Sequence, residues 1–172
     1  MPTIKNALPL RCPSPRHFSL IALLLPLLLA FSASAGGCAN GPKYTEMTLP
    51  PIPAGQGRII LFRDGFPLGF GIQPNVKLNG QTAGKSVPNN FFFVDRAPGP
   101  YKVTCLTEWQ HDIDIDLSAQ QTLYVQTHIA PGVVVGHVWP ELVTPDKAAA
   151  VLKDCTYNGP PLPKPPTNSP AS

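Results

Sequence analysis

Charge is scarce in this chain. Charged residues make up 13% of it, against about 25% in an ordinary soluble domain. Three of its 13 basic residues, Lys5, Arg11 and Arg16, precede Cys38, so the part from Cys38 onward carries 10 basic and 10 acidic residues. A nucleic-acid surface needs a basic face to meet phosphates, and none is to be had from that balance. Recurrent chemistry motifs are missing as well. There is no C-x-x-C, no H-x-x-x-H, no G-x-S-x-G and no G-x-x-x-x-G-K-[ST], which removes the common zinc, nucleophile-elbow and phosphate-loop signatures. Gly69-Phe70-Gly71 lacks the third glycine of a dinucleotide loop, Pro74 standing in its place. His111, His128 and His137 stand singly and read as surface or satisfied histidines. No cofactor, no metal and no enzymatic activity are expected on these grounds.

Long apolar runs are absent too. The longest uncharged one, Phe18–Phe31, has 14 residues with Pro26 inside it, whereas a membrane span needs about 20. What is present is the order of a secretory signal peptide over residues 1–37: a basic polar start, a short apolar stretch, and the small residues Ser32 to Gly37. Two cleavage routes compete. Ala33-Ser34-Ala35 would release a chain beginning at Gly36, while Ala35-Gly36-Gly37-Cys38 resembles the bacterial lipobox, with Ala35 where leucine is usual. Cysteine parity favours the second. Cys12 leaves with the leader, so Cys38, Cys105 and Cys155 remain, and an odd thiol is out of place in an oxidising compartment. Acylation of Cys38 would tie the chain to the membrane and leave Cys105 and Cys155 as a pair. Their bridge, closing about 50 residues, would contribute roughly 4 kcal/mol. Ala39 after the cysteine resembles the outer-membrane sorting pattern, which gives an outer-membrane address facing the periplasm.

Proline is abundant, 23 residues, and concentrated at two places. Residues 38–56, with Pro50, Pro51 and Pro53, read as anchor cysteine and semi-rigid tether. Residues 158–172, with six prolines among the last 13, read as a disordered tail. Between them residues 57–157 form one domain. Arg58-Ile59-Ile60-Leu61-Phe62 is apolar on both faces, as a central strand is. Asn79-Gly80 marks a hairpin. Phe91-Phe92-Phe93-Val94 is a strand ended by Pro98-Gly99, which suits a type II turn. From Tyr101 to Leu117 odd positions are mostly apolar and even ones polar, reading as one long strand or two sharing a bend near His111. Leu123–Ile129 alternates likewise, and Pro131-Gly132 turns it into a strand over Val133–Trp139. Thr144, Pro145 and Asp146 open one helix through Leu152. The architecture predicted is a mainly antiparallel β-sandwich, prealbumin- or immunoglobulin-like, with one short C-terminal helix.

Several of these segments resemble bacterial lipoproteins of domain-of-unknown-function family 2846. They are Gly57–Arg63, Val76-Lys77-Leu78-Asn79-Gly80 with Gly84, Phe93-Val94, and Pro98-Gly99-Pro100-Tyr101-Lys102-Val103. The resemblance spans roughly residues 57–153 and rests on turn and core positions. It implies a sandwich fold and an envelope address, and it implies no activity.

Two features offer function. Asp112, Asp114 and Asp116 share one strand face, with neighbours about 6.7 Å apart, a separation open to an inverting hydrolase pair or part of a calcium site. The plainer reading is a solvated face that discourages edge pairing. Phe66 and Phe70 in the loop Asp64–Gly71 either tuck under the sheet or form an apolar contact patch. The leading expectation is a non-catalytic, lipid-anchored binding or support module. Its partners would be the membrane, through the lipid on Cys38, and an envelope protein or glycan. An envelope-polymer hydrolase and a small-ligand carrier using a cavity between the sheets are the rivals.

Overall fold

A computed structural model describes residues 41–65 and 69–162. Nine strands form two sheets: β1 Gly57–Arg63, β2 Asn75–Leu78, β3 Gln81–Lys85, β4 Asn90–Arg96, β5 Gly99–Leu106, β6 Gln110–Leu117, β7 Thr122–Ala130, β8 His137–Val143 and β9 Thr156–Tyr157. The larger sheet runs β8-β7-β1-β4-β9 and the smaller β3-β2-β5-β6. Among the described residues one α-helix, α1, spans Pro145–Leu152. The fold is mainly β, two sheets and one short helix, as a β-sandwich with a helix requires.

β1 is the hub. All seven of its residues are buried, because both of its faces are covered and both its edges are paired. Ile59 and Leu61 share the sheet face that carries Phe92, Val94, Val125 and Thr127 by register, and this face meets the smaller sheet. Leu117 there lies directly under Gly57 and Phe92 under Gly84, and Ser86 and Thr127 hydroxyls share a 2.7 Å hydrogen bond across the gap. Where Leu61, Val76, Phe92 and Thr127 meet, the gap has no volume for a ligand, so a carrier cavity between the sheets is not found there. β1 pairs antiparallel with β4 but parallel with β7, and β4 with β9 is also parallel. The larger sheet is therefore mixed rather than antiparallel throughout.

Several local readings hold. β2 and β3 join through Asn79 and Gly80, both at positive φ (48° and 81°), the hairpin turn that an Asn-Gly pair is built for. α1 starts after Thr144 with Pro145 in its first turn, though the Thr144 side chain makes no capping hydrogen bond, and Ala148 and Leu152 are buried. The 101–117 alternation is a hairpin: β5 and β6 pair with Cys105 opposite His111 and Val103 opposite Ile113. Odd residues face odd residues across it, so the parity survives the turn at Thr107–Trp109 and imitates a single strand. Ala97-Pro98 does not close a hairpin; it carries the chain from the larger sheet to the smaller one.

The ends of the domain lie outside the expected limits. Residues 41–53 are not a free tether. Lys43 bridges Thr156, Tyr44 packs edge-on against Phe91 at 5.2 Å, and Met47 and Leu49 pack against the core. An extended segment laid on a sheet face has no ladder hydrogen bonds to lose, so Pro50, Pro51 and Pro53 fit it without cost. Arg58 fastens it, donating to Pro50 O at 2.7 Å while making a two-bonded pair with Asp95 (2.7 and 2.8 Å) and lying over the Phe93 ring. Residues 158–162 are ordered as well. Asn158 N–H donates to Phe91 O, Tyr157 OH to Pro160 O, and Leu162 touches the core.

Candidate functional site

The loops at one end of the sandwich, where β1 and β7 finish and β8 begins, carry an apolar crown. Its parts are Phe70 and Ile72 after β1, Leu106 and Trp109 around the β5–β6 turn, and Val133, Val134 and Val135 between β7 and β8. Val133 and Val134 are 84% and 85% exposed and Val135 58%. The expected strand over 133–139 begins only at His137, and the cause is Glu108. Its carboxylate accepts the N–H groups of four consecutive residues: Val133 at 3.0 Å, Val134 at 2.6 Å, Gly136 at 3.0 Å, and Val135 between them. Donors wrapped round a carboxylate are not free for a strand ladder. The wrap holds the Glu108 carboxyl at about 2, the backbone donors being the cause. Gly132 is needed at its base, since a Cβ there would strike Glu108 Oε2 and Gly136. Three valines are thus held out into solvent by a carboxylate beneath them.

A second lock steadies the neighbouring loop. Arg63, 1% exposed, donates to Ile72 O at 2.7 Å and Gly69 O at 3.3 Å, and burial pulls its pKa down despite Asp64 beside it. Ile129 packs on Gly69 and Ile72 on Gly136, so the two loops share a cleft of about 200 Å³ lined by Ile72, Ile129, Pro131, Val134 and Val135. Phe70 is half exposed and belongs to this crown; Phe66 lies outside the described residues, as does Cys38.

Behind the crown stands a cluster that sequence spacing could not reveal. Trp109 lies 5.3 Å from His137, His137 5.6 Å from His111 and 5.7 Å from Trp139, and His128 stacks on Trp139 at 5.5 Å. Three histidines read one by one are in fact neighbours, together with both tryptophans, because β8 pairs with β7 in the register His128 opposite Trp139 and packs against β6. His128 Nε2 is 2.9 Å from Glu141, though not aligned for a hydrogen bond, and His111 Nε2 and His137 Nδ1 are buried without a partner. Among the described residues no three His, Cys, Asp or Glu side chains converge as metal ligands.

The other candidates are elsewhere. Asp112, Asp114 and Asp116 project from the outer face of β6, an edge strand. Asp114 pairs with exposed Lys102 at 2.9 Å, and Asp112 accepts from Gln110, an interaction that lowers its pKa. They stand side by side and do not converge. The Cys105–Cys155 bridge is not formed; both are free, buried thiols. Cys105 sits in the smaller sheet between Val76 and His111, while Cys155 is held by the larger one, its Sγ donating to Arg63 O and Val151 O at 3.5 Å. Burial pushes both thiols up to about 12, so each behaves as a small apolar side chain. No protein-family model, curated protein or solved structure matches this chain.

Proposed function

We propose that this protein is an exported, lipid-anchored contact module of the bacterial cell envelope, non-catalytic, working from the outer membrane on its periplasmic side. The signal-peptide pattern, the lipobox-like run ending at Cys38 and the resemblance of the framework segments to envelope lipoproteins support the address; with Cys105 and Cys155 unpaired, cysteine parity adds nothing to it. The contact role is carried by one observation: Glu108 spends four backbone hydrogen bonds on keeping Val133, Val134 and Val135 in water. Apolar side chains held out by a dedicated lock are a surface prepared for something apolar, on loops positioned by a rigid scaffold.

Intact mass and membrane fractionation of the full chain, with and without Cys38→Ser, test the address; a product beginning at Gly36 without lipid refutes it. The contact role is tested by the triple change Val133→Ser, Val134→Ser, Val135→Ser. It should reproduce the phenotype of deleting the protein while leaving the melting temperature in place. Replacing Asp112, Asp114 and Asp116 by Asn should have no such effect. The opposite pattern would favour an envelope-polymer hydrolase on the β6 face.

A further inference from the structure

The anchor has far less slack than its prolines suggest, and this decides which end of the domain can touch the membrane. The chain is already seated at Gly41, which lies against the Tyr157 backbone, and Pro42 O accepts the Tyr157 N–H. From Cys38 to Gly41 there are three Cα–Cα steps, at most about 10 Å. Tyr157 is level with Phe91, and Phe91 with Phe62. The leash therefore starts one residue short of the end of β1 from which the crown grows. Gly57, at the other end of β1, is five residues below that level, about 17 Å away, beyond the reach of the leash. β7 passes Arg63 at Thr127 and runs on to Ala130 before the crown loop begins, so the valines project about 10 Å past the end of β1. Apolar segments that rest in a bilayer interface sink by about 5–10 Å, which brings the membrane surface level with the end of β1 and within reach of Cys38.

We infer that the crown is a second membrane contact: Val133, Val134 and Val135, flanked by Phe70, Leu106 and Trp109, dip into the lipid surface to which Cys38 is attached. The inference rests on the anchored reading above. The diacylglyceryl group of a lipobox cysteine carries two acyl chains and anchors stably without help; what the crown adds is a fixed orientation of the domain on the lipid surface. Its one carboxylate, Glu108, is turned under the tip with its oxygens occupied by N–H groups, so the valines can enter lipid without carrying a bare charge with them.

The test uses the full chain, processed and acylated, in vesicles of phosphatidylethanolamine and phosphatidylglycerol. A nitroxide is placed at Val134→Cys and, in a second protein, at Arg96→Cys at the far end; both positions are exposed, and Cys105 and Cys155 are buried and unreactive. At residue 134 relaxation should be enhanced by oxygen and protected from aqueous nickel, and at residue 96 the reverse. A residue-134 label that stays open to nickel while intact mass shows the lipid in place overturns the membrane contact and spares the anchor. Spin–spin broadening between copies at residue 134 would assign the crown to self-association instead. Absence of the lipid from the intact mass would overturn anchor and inference together.

Discussion

Two carboxylates, Asp95 and Glu108, each lock a segment of this protein to its framework, with opposite results. Asp95 grips Arg58 in a two-bonded pair, and Arg58 then holds Pro50 so that Tyr44, Met47 and Leu49 lie down on the sheet. Apolar surface is covered there. Glu108 grips the backbone of residues 133–136, and the result is apolar surface displayed. The first lock serves stability, because what it closes over is core. The second contributes little burial, and its value lies in the shape it imposes on a loop. A carboxylate therefore marks neither stability nor function by itself; what its partners do with their side chains decides.

The largest effect that would break this contrast is at the covered side. Asp95→Ala leaves the Arg58 guanidinium buried and unpaired, which should cost about 3 kcal/mol, read as a lower urea midpoint, with proteolysis appearing between residues 47 and 56. If the midpoint stays put, the segment is not held by this pair. On the displayed side Glu108→Gln should strip hydrogen-exchange protection from the Val133–Gly136 amides while the melting temperature stays near that of the parent. Acid should do the same. A carboxyl held at about 2 in the fold contributes fully above its ordinary value of about 4.3, and that contribution fades as pH falls from there toward 2. Protection of these four amides lost already at pH 6 would contradict the lock.

Smaller effects sharpen the assignment of the cysteines and the acidic face. A reducing agent should leave the melting temperature unchanged, since Cys105 and Cys155 are separate thiols. A fall matching roughly 4 kcal/mol would restore the bridge. Both thiols should resist alkylation at pH 8 until the protein unfolds. Their raised values mean that this protonated, buried state is favoured below about pH 9 and that its stabilising contribution is lost as pH climbs toward 12. The smallest effect is expected from Asp114→Asn, a urea midpoint indistinguishable from the parent's, because its pair with Lys102 is exposed.

Much of the framework was legible. β1, the Asn79-Gly80 turn and the start of α1 are dictated by local chemistry: burial on two faces, positive φ, and a proline in the first helical turn. The 101–117 pattern was legible in its faces and misleading in its topology, since a hairpin with odd residues opposite odd ones preserves the alternation of a single strand. The Pro-rich 41–53 segment read as a tether because proline argues against strands and helices; Tyr44, Met47 and Leu49 were the apolar signal that it lies on something. The pair Gly132 and Gly136 bracketing three valines was the visible trace of the crown. Nothing local pointed to Glu108, which reaches across 25 to 28 residues, or to the meeting of His111, His128 and His137.

The sequence by itself determined the near-zero charge of the part from Cys38 onward, which strands have one buried face and which have two, and the Asn79-Gly80 turn. These follow from composition and from periodicities of two and 3.6 residues, properties of neighbours along the chain. Only the tertiary structure decided that two cysteines stay apart, that five rings gather behind one loop, and that a carboxylate turns a run of valines outward. Each of these depends on which side chains meet across the sheets, and a single chain's local pattern holds no record of distance between residues far apart along it.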